Sequence, residues 1–402
     1  MSEGNTKNMS ASQKKTARGL IMIVAGEASG DLHGANLLRA MQRQVPELQF
    51  CGMGGQELAA AGMELLCDAA GMAVVGVTEV IGHLGAILRA RRTLIERLRR
   101  QRPALLILID YPDFNLWLAA TAKELAIPVF YYISPQIWAW RRSRIHTLKQ
   151  LTDRIAVILP FEQEFYARQG CSVDFVGHPL VDTVRPAIDR AEFVARHGID
   201  PERKLIGLLP GSRRKEVAAL LPDFLAAALL LAGDQPQGYT FLIPQASTLT
   251  RSDLDKNGLA DWHHGPDYRV VTDDRYSLMA ACDAVVAASG TVLLELAILG
   301  IPMVATYRTS RLTYLLGRLL IRHLDYFSLV NLIGGRAIIP ELLQDAASPG
   351  QIAHELRLLL EDARARAALL AGLDEVRQRL GEPGAADRAA TLALEILARR
   401  RG

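Results

Sequence analysis

A chain of 402 residues, 50% apolar and 22% charged, is long enough for two hydrophobic cores and too apolar for disorder or a fibrous repeat. Its net charge of +3 is too small to imply a nucleic-acid partner. Four scattered cysteines, Cys51, Cys67, Cys171 and Cys282, form no C-x-x-C pair, which argues against a disulfide framework or a zinc ribbon and fits a reducing cytoplasm.

Residues 1–18 are polar and lysine-containing with no apolar h-region, so they read as a disordered tail and not as a signal peptide. The run Leu20-Ile-Met-Ile-Val-Ala25 leads into Gly26-Glu-Ala-Ser-Gly-Asp31 and a helical pattern at Leu37, Leu38 and Met41: a buried strand, a glycine-rich turn and a helix. Further strands are expected at residues 48–51, 73–77, 105–110, 129–133, 155–159 and 173–176. Strands that alternate with helices imply a parallel sheet covered on both faces.

A charged stretch, 182–204, carries Pro186, Gly198 and Pro201 and reads as a connection. The alternation then restarts, with strands at 205–209, 240–243, 269–271, 284–287 and 303–306 and helices such as 220–231 and 292–299 between them. From 349 the chain is rich in Ala, Leu and Arg and breaks at Gly381-Glu-Pro-Gly384, so it reads as helices. The expected class is α/β, with two doubly wound Rossmann-like lobes facing a central cleft. The tail is 1–18, the first lobe 19–185, the second lobe 186–348 and the C-terminal helices 349–402. No uninterrupted run reaches the ~18–20 apolar residues that span a bilayer.

Ligands of such sheets sit beyond the carboxyl ends of the strands, so the loops that follow strands should carry the chemistry. In Leu209-Pro-Gly-Ser-Arg213, Gly211 permits a tight turn, Ser212 can cap the following helix, and the helix amides with Arg213 suit a phosphate or diphosphate. The alternative is a capped helix with solvated basic residues. A second such loop holds Ser289, Gly290 and Thr291, with Glu295 one turn further along, placed to accept hydrogen bonds from ribose hydroxyls. Here the alternative is an ordinary cap with Glu295 on the surface. Two such loops in one lobe favour a nucleotide.

In the first lobe, Glu27, Ser29 and Asp31 lie in the first glycine-rich turn, which lacks G-x-G-x-x-G and is expected to shape an acceptor site. Asp110 ends the apolar strand Leu105-Leu-Ile-Leu-Ile109, where partial burial would raise its pKa and fit it to take a proton from a hydroxyl. Asp113 reads as a helix cap after Pro112. The two carboxylates could share a divalent ion, but Pro112 stiffens the pair and no further ligand is near in sequence, so no metal is expected. His178, in Gly177-His-Pro179, lines the cleft or serves a structural hydrogen bond.

Residues 86–102 hold seven arginines against Glu96, with Ile87, Leu88, Leu94, Ile95 and Leu98 on one helical face. Such a helix packs on a sheet, or lies in a membrane interface with Ile87, Leu88, Arg91 and Arg92 as contacts. The apolar run 80–88 before it, and the apolar and arginine-bearing segment 314–323, favour the membrane.

Gly26-Glu-Ala-Ser-Gly-Asp31, Asp110-Tyr-Pro-Asp-Phe-Asn115, Tyr132-Ile-Ser-Pro-Gln-Ile-Trp-Ala-Trp-Arg141, Leu159-Pro-Phe-Glu162, Val176-Gly-His-Pro179, Leu209-Pro-Gly-Ser-Arg213, Ala288-Ser-Gly-Thr291 and Ser328-Leu-Val-Asn-Leu332 occur in that order. This ordered set closely resembles the lipid-A-disaccharide synthase family. The resemblance implies a metal-independent, cofactor-free, inverting glycosyltransferase of the GT-B type, peripheral on the cytoplasmic face of the inner membrane. The donor it implies is UDP-2,3-diacylglucosamine and the acceptor 2,3-diacylglucosamine 1-phosphate, giving UDP and the β-1,6-linked disaccharide 1-phosphate of lipid A. It further implies Asp110 as base for the acceptor 6-hydroxyl, Arg213 on the donor phosphates, Glu295 on the ribose and Asn331 as a functional asparagine. Val330 stands where the family has a proline. The last helices crossing back onto the first lobe, and homodimers formed by exchange of C-terminal parts, are also implied. The other readings are a UDP-N-acetylglucosamine epimerase and a non-catalytic sugar-binding protein; the latter normally carries an export signal, which 1–18 is not.

Overall fold

The computed structural model describes residues 19–69, 77–140, 142–233, 235–262, 265–310, 314 and 324–399. They form two compact units, one of residues up to Pro179 together with those from Glu382, the other Leu180–Gly381.

The first unit holds a seven-stranded sheet in the order β3-β2-β1-β4-β5-β6-β7. Its strands are β1 (Leu20–Ala25), β2 (Gln49–Gly54), β3 (Glu64–Asp68), β4 (Leu105–Ile109), β5 (Val129–Tyr132), β6 (Arg154–Val157) and β7 (Asp174–Phe175). All pairings are parallel. β1 is apolar throughout because it is covered on both faces: Leu20, Met22 and Val24 join one core layer, and Ile21, Ile23 and Ala25 the other. Among its helices are α1 (Ala28–Gln44), α2 (Val77–Gln101) and α3 (Pro112–Glu124).

The second unit repeats the plan with six strands in the order β10-β9-β8-β11-β12-β13. These are β8 (Lys204–Leu209), β9 (Tyr239–Pro244), β10 (Asp267–Val271), β11 (Ala284–Ala288), β12 (Met303–Tyr307) and β13 (Glu341–Leu343), again all parallel. Its helices include α4 (Arg214–Ala232), α5 (Val292–Leu299) and α6 (Leu329–Gly334).

Two strands, β3 and β13, escape the sequence reading, and both lie at sheet edges. An edge strand is not buried on both faces, and the pattern Glu64-Leu-Leu-Cys-Asp68 is largely exposed or half-buried. The strand expected at 73–77 lies outside the described residues except for Val77, which opens α2. The tail 1–18 and residues 315–323 also lie outside them.

The final helix, α7 (Ala385–Arg399), packs against α1. Ala389, Ala390, Ala393 and Leu397 enter the same core layer as Leu37, Leu38 and Met41, the small alanines letting the backbones come close. At the margins Arg43 pairs with Asp387 at 2.6 Å, Arg154 with Glu395 at 2.5 Å, and Arg388 Nε donates to the Val176 carbonyl at 2.9 Å. Ala393→Asp would place an unpaired carboxylate in this fully buried layer. It is expected to destabilise the first unit by about 3 kcal/mol, read as a lower melting temperature in calorimetry; a transition unmoved from the parent's would contradict this packing.

Candidate active site

Each sheet has one topological switch point, where the chain leaves neighbouring strands in opposite directions and the loops beyond their carboxyl ends meet. In the first unit that point lies between β1 and β4, whose last residues Ala25 and Ile109 are paired. The loop of Glu27 therefore adjoins that of Asp110. Tyr111 lays its ring so close over Gly26 that a Cβ there would come within 2.4 Å of it, so only glycine fits. Burial, and after it the negative charge of Glu27, pushes the Asp110 carboxyl up to about 6, against a bond from the Tyr111 amide that favours the ionised form. A group of that strength is ionised at neutral pH yet basic enough to accept a proton. Glu27 and Ser29 are exposed at the start of α1.

Asp31 departs from the expected acceptor role. Its buried carboxylate accepts from the amides of Gly55, Glu57 and Leu58 at 2.7, 2.9 and 3.2 Å, and so caps the helix Gln56–Ala60 from across the loop. Asp113 is not the cap of α3 either; Tyr111 holds that position, while Asp113 sits in the first turn, mostly exposed and paired with Arg144. His178 is buried beside His33, and burial holds both imidazoles neutral, His178 down to about 3 and His33 to about 4. Among the described residues no three His, Cys, Asp or Glu side chains converge as metal ligands.

A residue given no chemistry in the sequence reading is Glu162. It is fully buried, accepts from Trp138 Nε1 at 3.2 Å and from the Leu159 amide at 3.0 Å, and burial pushes its carboxyl up to about 8. Asp110 also raises it, so the two acids lie in one electrostatic neighbourhood. An acid at the third position of a helix opened by Pro160 was the available signal, since it can accept from the Leu159 amide.

In the second unit the switch point lies between β8 and β11, where Leu209 pairs with Ala287. The 210–213 loop thus adjoins residues 289–291. Gly211 adopts φ 106°, in the left-handed region that favours glycine. Ser212 does not cap α4; Arg213 is the N-cap residue. The Glu216 carboxylate accepts from the Ser212 and Arg213 amides at 3.2 and 3.3 Å and from Arg213 Nη1 at 3.1 Å. A carboxylate of the chain itself therefore already sits on these loop amides and on Arg213.

Ser289 is half-buried, with Gly290 and Thr291 exposed at the head of α5. Glu295 is no surface residue: it is 4% exposed, paired with Arg275 at 2.6 Å and reached by the Tyr276 hydroxyl at 3.4 Å. Burial raises its pKa and the Arg275 charge opposes that rise. Asn331 has its amide fully used, Nδ2 donating to Ile339 O and Glu341, Oδ1 accepting from the Ile338 and Ile339 amides. It therefore shapes the segment after α6 and has no valence left for a nucleotide. Val330 stands at the second position of α6, where first-turn amides have no intrahelical acceptor, so valine and proline are both accommodated.

On α2, Leu94 and Leu98 are buried in the core and Ile87 and Ile95 pack against it, so much of the apolar face lies on the sheet. Leu88 is 49% exposed, and Arg91 stacks 4.6 Å over the ring of Trp117, itself 48% exposed. Arg92 is exposed. The side chains of residues 80–84 lie outside the described residues, and among the described residues no helix is long and apolar enough to cross a membrane.

Comparison with known proteins matches residues 21–396 to the family model described as lipid-A-disaccharide synthetase. The chain belongs to that family. Relatives named lipid-A-disaccharide synthase include those of Geobacter metallireducens, 46% identical over 95% of this chain and 98% of the relative, and Geobacter sulfurreducens, 47% identical over 94% and 98%. That of Nitrosococcus oceani is 46% identical over 90% and 92%. Solved structures share the fold at low identity. The UDP-GlcNAc 2-epimerase of Neisseria meningitidis, bound to UDP-GlcNAc, has a TM-score of 0.59 at 12% identity, covering 94% of this chain and 100% of that one. MurG of Acinetobacter baumannii has 0.58 at 15%, covering 94% and 99%. The family is one of glycosyltransferases, and the epimerase likeness is one of fold alone.

Glu216→Gln removes the charge that competes for the amides of Ser212 and Arg213. UDP binding by calorimetry is expected to tighten by roughly three- to ten-fold, the scale of one screened charge contact; weaker binding would mean that the carboxylate serves mainly to hold the loop.

Proposed function

We propose that this chain transfers the 2,3-diacylglucosaminyl group of UDP-2,3-diacylglucosamine to the 6-hydroxyl of 2,3-diacylglucosamine 1-phosphate, releasing UDP and the β-1,6-linked disaccharide 1-phosphate. Family membership supports the reaction, and Asp110 is the observation that carries the mechanism: a carboxylate at the switch point of the first sheet, held near pKa 6. Asp110 takes the proton of the 6-hydroxyl as O6 attacks the anomeric carbon from the face opposite the nucleotide. The bond from that carbon to the diphosphate oxygen breaks, and its electron pair leaves with UDP. Arg213, the amides of Ser212 and Arg213, and the loop Ser289-Gly290-Thr291 stabilise the departing charge without a metal. Glu295 meets the ribose once Arg275 yields part of its contact. On this reading the first unit binds the acceptor, with Glu27, Ser29 and His178 near it, and the second unit binds the nucleotide sugar.

Acylated substrates live in a bilayer, and the exposed Leu88 and Trp117 flanked by Arg91 and Arg92 suit peripheral contact with the anionic cytoplasmic face of the inner membrane. An exchanged homodimer would make the α7 contact between chains with the same buried alanines.

Asp110→Asn is expected to lower kcat by roughly 100- to 10,000-fold, read as tetraacyl disaccharide phosphate by mass spectrometry. In the parent, protonation disables the base, so kcat should fall about ten-fold for each pH unit below about 6. A folded variant as active as the parent would sink the assignment. For the membrane contact, replacing Arg91 and Arg92 together by alanine should weaken co-sedimentation with phosphatidylglycerol vesicles by about ten-fold or more, from about 1 kcal/mol per arginine. Equal partitioning of variant and parent counts against it.

A further inference from the structure

Asp110 and Tyr111 both have left-handed backbones, with φ of 43° and 47°, and neighbouring Ile133 has φ 60°. Among the described residues seven non-glycine residues have positive φ, and three of them meet at the carboxyl ends of β4 and β5. Such conformations are costly for residues with a Cβ, most of all for a β-branched isoleucine, and persist only where surrounding bonds over-determine them.

The bonds are present. Asn115 Nδ2, from the first turns of α3, donates to the carbonyls of Asp110 at 2.6 Å and Ile109 at 3.2 Å. The Tyr131 hydroxyl, from β5, donates to the same Asp110 carbonyl at 2.6 Å. The Asp110 amide donates to Ile133 O at 3.3 Å. Both side chains are fully buried, and Asn115 Oδ1 has no hydrogen-bond partner. A buried asparagine with an unpaired oxygen is a poor choice for stability alone, since an apolar residue of its size would avoid that cost. What leucine could not do is donate to the strained carbonyl.

We infer that Asn115 and Tyr131 are positioning residues for the transfer: they latch the Asp110–Tyr111 turn in its left-handed form from two sides and thereby aim the Asp110 carboxylate. The inference rests on Asp110 being the base. Without the latch the turn relaxes toward ordinary backbone angles and the carboxylate swings off line, while substrate-binding groups stay where they are.

The test is steady-state kinetics of the full chain with acylated donor and acceptor, for Asn115→Leu and Tyr131→Phe, each alone and in the Asp110→Asn background. Asn115→Leu should lower kcat by roughly a hundred-fold and Tyr131→Phe by roughly ten-fold, the scale of an ångström-sized misplacement. KM for both substrates should stay within about two-fold, as for an interaction felt in the transition state. Added to Asp110→Asn, neither change should cost more, because both act through that carboxylate. Equal losses persisting in the Asp110→Asn background, a loss carried by KM, or single variants with kcat within about two-fold of the parent would overturn the latch and leave the base intact. Full activity of Asp110→Asn itself would overturn the base reading instead. Should Asn115→Leu fail to fold, Tyr131→Phe, which removes one hydroxyl and keeps the ring, decides.

Discussion

The pairing of β1 with β4, and of β8 with β11, sets what else this chain can do. In each sheet the first strand lies inside the order, with the second strand on one side and a later strand on the other. The helical crossovers must therefore depart to opposite sides, and a gap opens between the loops beyond the paired strand ends. Two loops separated by some 80 residues of chain are thereby held side by side by the backbone hydrogen bonds of the paired strands. Glu27 beside Asp110 and the 210–213 loop beside Ser289 are both products of this geometry.

The two gaps differ in their electrostatics. The first is acidic and partly buried: burial pushes the Asp110 and Glu162 carboxyls toward the neutral form, the Glu27 charge adding to the rise of Asp110 and the Asp110 charge to that of Glu162. The second is cationic and more exposed, with Arg213, Arg214 and Arg275 each paired to an acid of their own unit. Under the proposed transfer, the first gap takes up the proton of the acceptor hydroxyl and the second receives the negative charge of the leaving diphosphate.

Much of the fold was legible because strands covered on both faces announce themselves as apolar runs; Leu20-Ile-Met-Ile-Val-Ala25 admits little else. β3 and β13 were not, because these half-wet edge strands carry none of the valines that marked the other edge strands at 173–176 and 269–271. At the site, loops following strands could be found from glycine and hydroxyl residues, and Asp110 from its position after Leu105-Leu-Ile-Leu-Ile109. What could not be read was which polar atoms are already spent. Asp31 reaches amides at residues 55 to 58, and Asn331 saturates itself on Ile338, Ile339 and Glu341. Tyr131 supports the Asp110 carbonyl, in the turn that follows another strand. Such bonds depend on tertiary approach, and spacing in the chain carries no trace of them.

The docking of α7 on α1 also bears on how the chain is made. Ile21, Ile107, Phe130 and Tyr132 share a core layer with Ala389, Ala390, Ala393 and Leu397, residues separated from them by the whole second unit. During synthesis the first sheet therefore leaves the ribosome with part of one face bare. It stays so for the time taken to translate roughly 200 residues, about 10 to 40 seconds at ordinary rates. The nascent chain thus carries bare apolar surface through that interval, and the second unit can fold before the first is closed.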